Sequence, residues 1–149
     1  MKLFGHPLHV MLIHFPVALL PMDAVLSWLH YWHASVSLGQ AAYYAALGGV
    51  VTGFVAILSG VLDLLTIPGT NRNTRAEAII HGLLNGSVVL IYAGLLYKAS
   101  AQYPDLSSPA MAVLILKTIL IITLFGGNYL GGRLVYKHGV GMETKTTGL

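Results

Sequence analysis

The histidines are the residues of this chain best suited to chemistry. Three of the seven, His6, His9 and His14, fall in one stretch, GHPLHVMLIHFP, at residues 5–16. A fourth, His81, sits in RAEAIIHGLLN, with Glu77 four residues before it and Asn85 four after. Neutral imidazole ligates transition metals and haem iron, so these rings and any carboxylate that meets them define the candidate chemistry. Two ligand sets follow. His14 and His81 as the axial pair of a haem b, with Asn85 close by and Arg72, Arg75 or Arg133 for the propionates, make a cofactor site. His9, His14, Asp63 and His81 make a nitrogen and oxygen set for zinc, iron or copper. Neither His6-Pro-Leu-His9 nor His9-x4-His14 is a diagnostic metal spacing. A third reading therefore stays open, in which the rings satisfy polar backbone in a scaffold without a cofactor. The chain has no cysteine, which excludes disulfides, thiolate ligands, iron–sulfur clusters and covalent haem attachment. It has no P-loop, dinucleotide fingerprint, HExxH or serine or cysteine nucleophile motif, so no enzyme class is assigned.

The elements that position these residues follow from composition. Of 149 residues 56% are hydrophobic, and the mean hydropathy is +0.74, far outside the range of a soluble domain. Four apolar runs, Leu8–Leu29, Ala41–Leu65, Ala76–Tyr97 and Ala110–Val135, are 22 to 26 residues long. At about 1.5 Å per residue each crosses a hydrocarbon layer of about 30 Å. None carries the polar stripe of a soluble amphipathic helix. The expected fold is an all-α membrane protein, a single domain over residues 1–149 built as a four-transmembrane-helix bundle. Histidines and prolines interrupt any signal-peptide core, so the first span is read as retained.

Lys2, Arg72, Arg75, Arg133, Lys137 and Lys145 fall at one end of such a bundle, and only Lys98 falls in the opposite loops. The positive-inside bias then places both termini in the cytoplasm of a multi-pass protein of the bacterial inner membrane. The net charge of +3 is an orientation signal and does not point to nucleic acid. Trp28, Tyr31, Trp32, Tyr43, Tyr44, Tyr97 and Tyr103 form an aromatic belt at the outer boundary. His14 and His81 each lie six residues inside a helix start, about 9 Å deep on the cytoplasmic side.

Local patterns refine the picture. Gly49, Gly53, Ala56 and Gly60 share one stripe of the second span, where a neighbouring helix can approach closely, and Asp63 continues it toward Arg72 or Arg75. Thr74 and Glu77 read as a capping box that starts the third span. Glu77, His81 and Asn85 form a polar ladder, open to a ligand role or to interhelical bonding. In the last span Gly127 and Gly131 suit close packing, and Arg133 is placed to meet Asp63 or lipid phosphate. Pro16 and Pro21 favour a kink, and Pro16 frees the carbonyl of Leu12 beside His14. Lys117 is expected to snorkel to the outer interface, His30 and His33 to be solvated, Asp23 to pair with His30 or water, and His138 to lie on the surface.

These segments resemble a known family. GHPLHVMLIHFP, SGVLDLL, RAEAIIHGLLN and GGNYLGGRLVYKHGVG are similar to pieces of the bacterial membrane family catalogued as domain of unknown function 2231, with Val10 where a second proline is usual. The resemblance covers nearly the whole chain and implies a compact four-helix membrane module. It also implies an association with cytochrome-like or Rieske-type redox modules. The expected partners are the lipid bilayer and either a redox protein or further copies of the chain.

Overall fold

The computed structural model describes residues 2–3, 6–68 and 70–140, and the side chains of these except at 2, 3, 6–8, 10 and 66. Gly5 and Lys145 lie outside the described residues, as do the side chains of Lys2 and His6. A two-stranded antiparallel ribbon, β1 (Lys2–Leu3) and β2 (His6–Pro7), leads into α1 (Leu8–Leu12), α2 (His14–His33), α3 (Val36–Thr66), α4 (Arg72–Ser100) and α5 (Met111–Tyr136). Beyond that ribbon the regular structure is all helical. Among the described residues three helices, α3, α4 and α5, are long and apolar enough to cross a membrane. The first expected span, 8–29, differs: α1 and α2 share it, and His14, Asp23, Ser27, His30 and His33 are spread along α2 so that it lacks a continuous apolar stretch like those of the other three.

The break between α1 and α2 has a cause in the sequence. Pro16 has no N–H for the Leu12 carbonyl, so α1 stops at Leu12. Ile13 keeps helical dihedrals (φ −61°, ψ −23°), and the bonds on either side survive: Ile13 N–H to the His9 carbonyl at 3.1 Å and Val17 N–H to the Ile13 carbonyl at 3.2 Å. Pro21 is absorbed without interrupting α2.

Two expected boundaries are corrected. The helix expected from Ala41 begins at Val36, because Ala34 and Ser35 alone make the turn from α2. Ala34 caps α2 in the left-handed region (φ 48°, ψ 34°). The helix expected from a Thr74–Glu77 capping box begins at Arg72, with Asn71 at the cap position. Thr74 Oγ1 donates to Asn71 Oδ1 at 2.8 Å, and Glu77 reaches across to α5 instead of back to its own helix start.

The four long helices form a ring in which α2, α3, α4 and α5 pack in sequence and α5 closes on α2. At mid-depth Leu20, Val50, Val88, Tyr92, Leu120 and Leu124 make the core. Tyr92 crosses the ring, its hydroxyl donating to the Leu20 carbonyl at 3.3 Å. The glycine stripe of α3 is buried as its spacing implies: Leu20 packs on Gly49, Val89 on Gly53 and His9 on Gly60. The outer surface is apolar, with Leu58, Leu83 and Ile122 each about two-thirds exposed (67%, 69% and 67%). A belt of this kind requires lipid or another apolar partner.

Candidate histidine site and its polar network

One end of the bundle gathers the arginines and the histidines singled out by the sequence. His9 projects from α1 into the groove of α3. Its Nδ1 lies 2.9 Å from the Ala56 carbonyl and 3.3 Å from Ser59 Oγ, and its ring fills the space over Gly60. His81 projects from α4 onto α5, with Nδ1 2.7 Å from the Gly127 carbonyl and its ring over Gly131. A carbonyl oxygen only accepts, so each Nδ1 carries the proton and each neutral ring keeps its lone pair on Nε2. The two rings meet with centroids 6.1 Å apart and planes at 90°.

Both glycines are required by close approach. A Cβ at Gly60 would stand 2.9 Å from His9 Cε1, and one at Gly131 would stand 2.7 Å from His81 Cε1. The rings are thus held in slots cut into facing helices, and a backbone carbonyl fixes each tautomer. This is the arrangement by which proteins aim a histidine's second nitrogen at a metal.

His14 is placed elsewhere. It is exposed, and its Nδ1 lies 3.3 Å from the Met11 carbonyl one turn back on its own segment. The ring that meets His81 is therefore that of His9 and not the expected His14: the break at Ile13 carries the α1 ring, not the α2 ring, to α4. The set His9, His14, Asp63 and His81 is not gathered either; no cluster of three or more metal-binding side chains occurs among the described residues. Asp63 is half-buried, one turn beyond Gly60 on α3, and is itself engaged in an interaction.

The ladder on α4 is a zipper to α5. Arg133 Nη2 donates to Glu77 Oε1 at 2.9 Å, so Arg133 meets Glu77 and not Asp63. His138 Nε2 stands 3.3 Å from Glu77 Oε2 and its Nδ1 3.1 Å from Thr74 Oγ1, which makes this residue a half-buried bridge where a surface position was expected. Asn85 Nδ2 donates to Asn128 Oδ1 at 3.3 Å, and its amide occupies the space a side chain at Gly127 would fill. Arg72 is exposed and Arg75 half-buried at this same end.

The opposite end holds polar groups that the sequence reading placed in water. Lys117 does not snorkel outward: its Nζ donates to Asp23 Oδ1 and to Ser27 Oγ, both at 2.8 Å. An acid buried in an apolar bundle is tolerated when paired, and the long lysine stem reaches it from α5. His30 is buried at 4% exposure, while His33 is exposed. Six of the seven aromatic residues singled out at this end make ring contacts, Trp28 with Tyr31 and Trp32, and Tyr43 and Tyr44 with Tyr103.

Apolar outer faces, charged groups paired within the bundle and histidines seated on glycines define a small α-helical membrane protein. The chain belongs to the predicted membrane protein family DUF2231, whose model matches residues 5–144. Among curated proteins and solved structures nothing matches it.

Proposed function

We propose that this chain is a multi-pass protein of the bacterial inner membrane, with both termini in the cytoplasm, that holds a transition-metal ion between His9 and His81. The observation that carries the reading is the pair of imidazoles 6.1 Å apart, each with Nδ1 bound to a backbone carbonyl and with no partner for Nε2 among the described residues. A metal–imidazole bond of about 2.0–2.1 Å puts two rings on one ion about 5–6.5 Å apart between centroids. Imidazole suits zinc, copper and iron alike. The orientation is supported by Arg72, Arg75, Arg133 and Lys137, which fall at the histidine end.

Haem b is the second reading. Two imidazoles are the full protein contribution that a six-coordinate iron porphyrin needs, and two is the number of rings that meet here. Arg72 and Arg75 are then the propionate partners, since Arg133 is held by Glu77. A haem would make the module an electron carrier for a redox partner in the same membrane.

Metal analysis and a visible spectrum of the protein purified in mild detergent test both readings. A Soret band identifies haem, and a stoichiometric metal without one identifies the simple ion. His9→Ala and His81→Ala should each abolish or shift the signal, and His14→Ala should leave it unchanged. A protein with neither metal nor haem, whose variants change only stability, would reduce the histidines to interhelical bonds of a scaffold.

A further inference from the structure

At the end of the bundle opposite the His9–His81 site lies a cavity of about 440 Å³, between the long helices and the connection from α4 to α5. Asp23 and Lys117 line its deep part, His30 lines it nearer the turn to α3, and Leu95, Leu96 and Val113 form apolar wall. Lys117 and Ser27 occupy Asp23 Oδ1, and the Tyr92 hydroxyl stands beside the same carboxyl, but among the described residues the buried Oδ2 accepts no hydrogen bond. Neither ring nitrogen of His30 has one. The ring is also held in place, since a Cβ at Gly39 would stand 3.0 Å from its Nε2. Buried polar atoms are nearly always bonded, so three unpartnered ones on two residues lining one cavity point to an occupant that completes them.

We propose that this cavity binds a neutral ring bearing hydroxyl groups at opposite ends, of the hydroquinone class. Three features select it. Asp23 and Lys117 cancel in charge, and the other cation of the lining, Lys98, is exposed to the outside, so the floor favours a neutral ligand over an ion. Asp23 Oδ2 only accepts, whereas neutral His30 offers one donor and one acceptor, so the ligand must donate at the deep end. Asp23 and His30 are seven residues apart on α2, about 10.5 Å along its axis. A spacing of that order suits a single ring with an oxygen at each end. The apolar wall takes the ring faces. The oxidised, quinone form only accepts and leaves Asp23 Oδ2 unmatched, so the site selects the reduced form. This inference does not rest on the metal site.

Calorimetric titration of the full chain in mild detergent, with hydroquinone and with 1,4-dimethoxybenzene, decides it. Hydroquinone is expected to saturate one site, and the ether, which has lost both donors, to bind at least roughly tenfold more weakly. His30→Leu removes no internal hydrogen bond and should weaken hydroquinone by a similar factor. Val113→Phe fills the cavity without touching its polar atoms and should abolish binding. The two probes on the unaltered chain are decisive even where a variant fails to fold. Equal binding of both probes, no binding of hydroquinone, or hydroquinone binding that survives both substitutions would overturn the proposal.

Discussion

Asp23, at 1% exposure, is the residue most at odds with an apolar bundle, and Lys117 is what makes it tolerable. Removing one partner of a buried pair leaves a charge without compensation, at a cost of about 3–5 kcal/mol, whereas replacing both is close to neutral. Lys117→Met is therefore expected to lower the unfolding temperature in detergent sharply, and Asp23→Asn with Lys117→Met to recover most of the loss. Equal unfolding temperatures for the three proteins would show that the pair contributes nothing. The pairing was not legible in the sequence. From six residues inside α5 the lysine stem reaches either the interface or a neighbouring helix, and nothing local says that α2 presents an acid there. His9 illustrates the same limit. Its spacing from His14 was plain, but which ring faces His81 depends on where the chain breaks at Ile13.

Among the elements, α3 was the most legible, because small residues at Gly49, Gly53, Ala56 and Gly60 state their own face. Gly53→Leu is expected to destabilise the bundle by about 1–3 kcal/mol through overpacking; even a Cβ there stands 2.8 Å from Val89 Cγ2. Normal yield and unchanged thermal stability of that variant would count against the stripe as a packing surface. The α2–α3 turn was less legible, because His33, Ser35 and Ser37 read as a longer polar loop. Ala34 pays a steric cost in the left-handed conformation that glycine avoids, so Ala34→Gly should stabilise by roughly 0.5–1 kcal/mol, measured as a rise in unfolding temperature. A fall would mean that the turn tolerates its alanine without strain. The α4–α5 zipper was half visible: the ladder was clear, but its partners Gly127, Asn128, Arg133 and His138 lie about 40 to 60 residues away, beyond any local pattern.

Across the whole molecule the helical class and the membrane were legible from composition alone, because 56% hydrophobic residues leave too little polar surface to cover the bundle. Polarity within α2 set the limit, since it left three helices, not four, with the length and composition of a span. The basic residues also carry a topological expectation. A reporter fused after Leu149 should be active in the cytoplasm, and a clear periplasmic signal would reverse the bundle and put the His9–His81 site on the outer side.

The two members of the buried ion pair are separated by 94 residues of chain. Translation at about 5–20 residues per second makes Asp23 about 5–20 s before Lys117 exists. For that interval α2 is joined by only two residues to the apolar α3 and carries a carboxylate with no counter-charge. It must wait where water or other protein can solvate it. The arrival of α5 ends the wait: it brings Lys117 to Asp23 and Thr118 to Trp28 together, so a helix made late acts as the latch that holds α2 in the bundle.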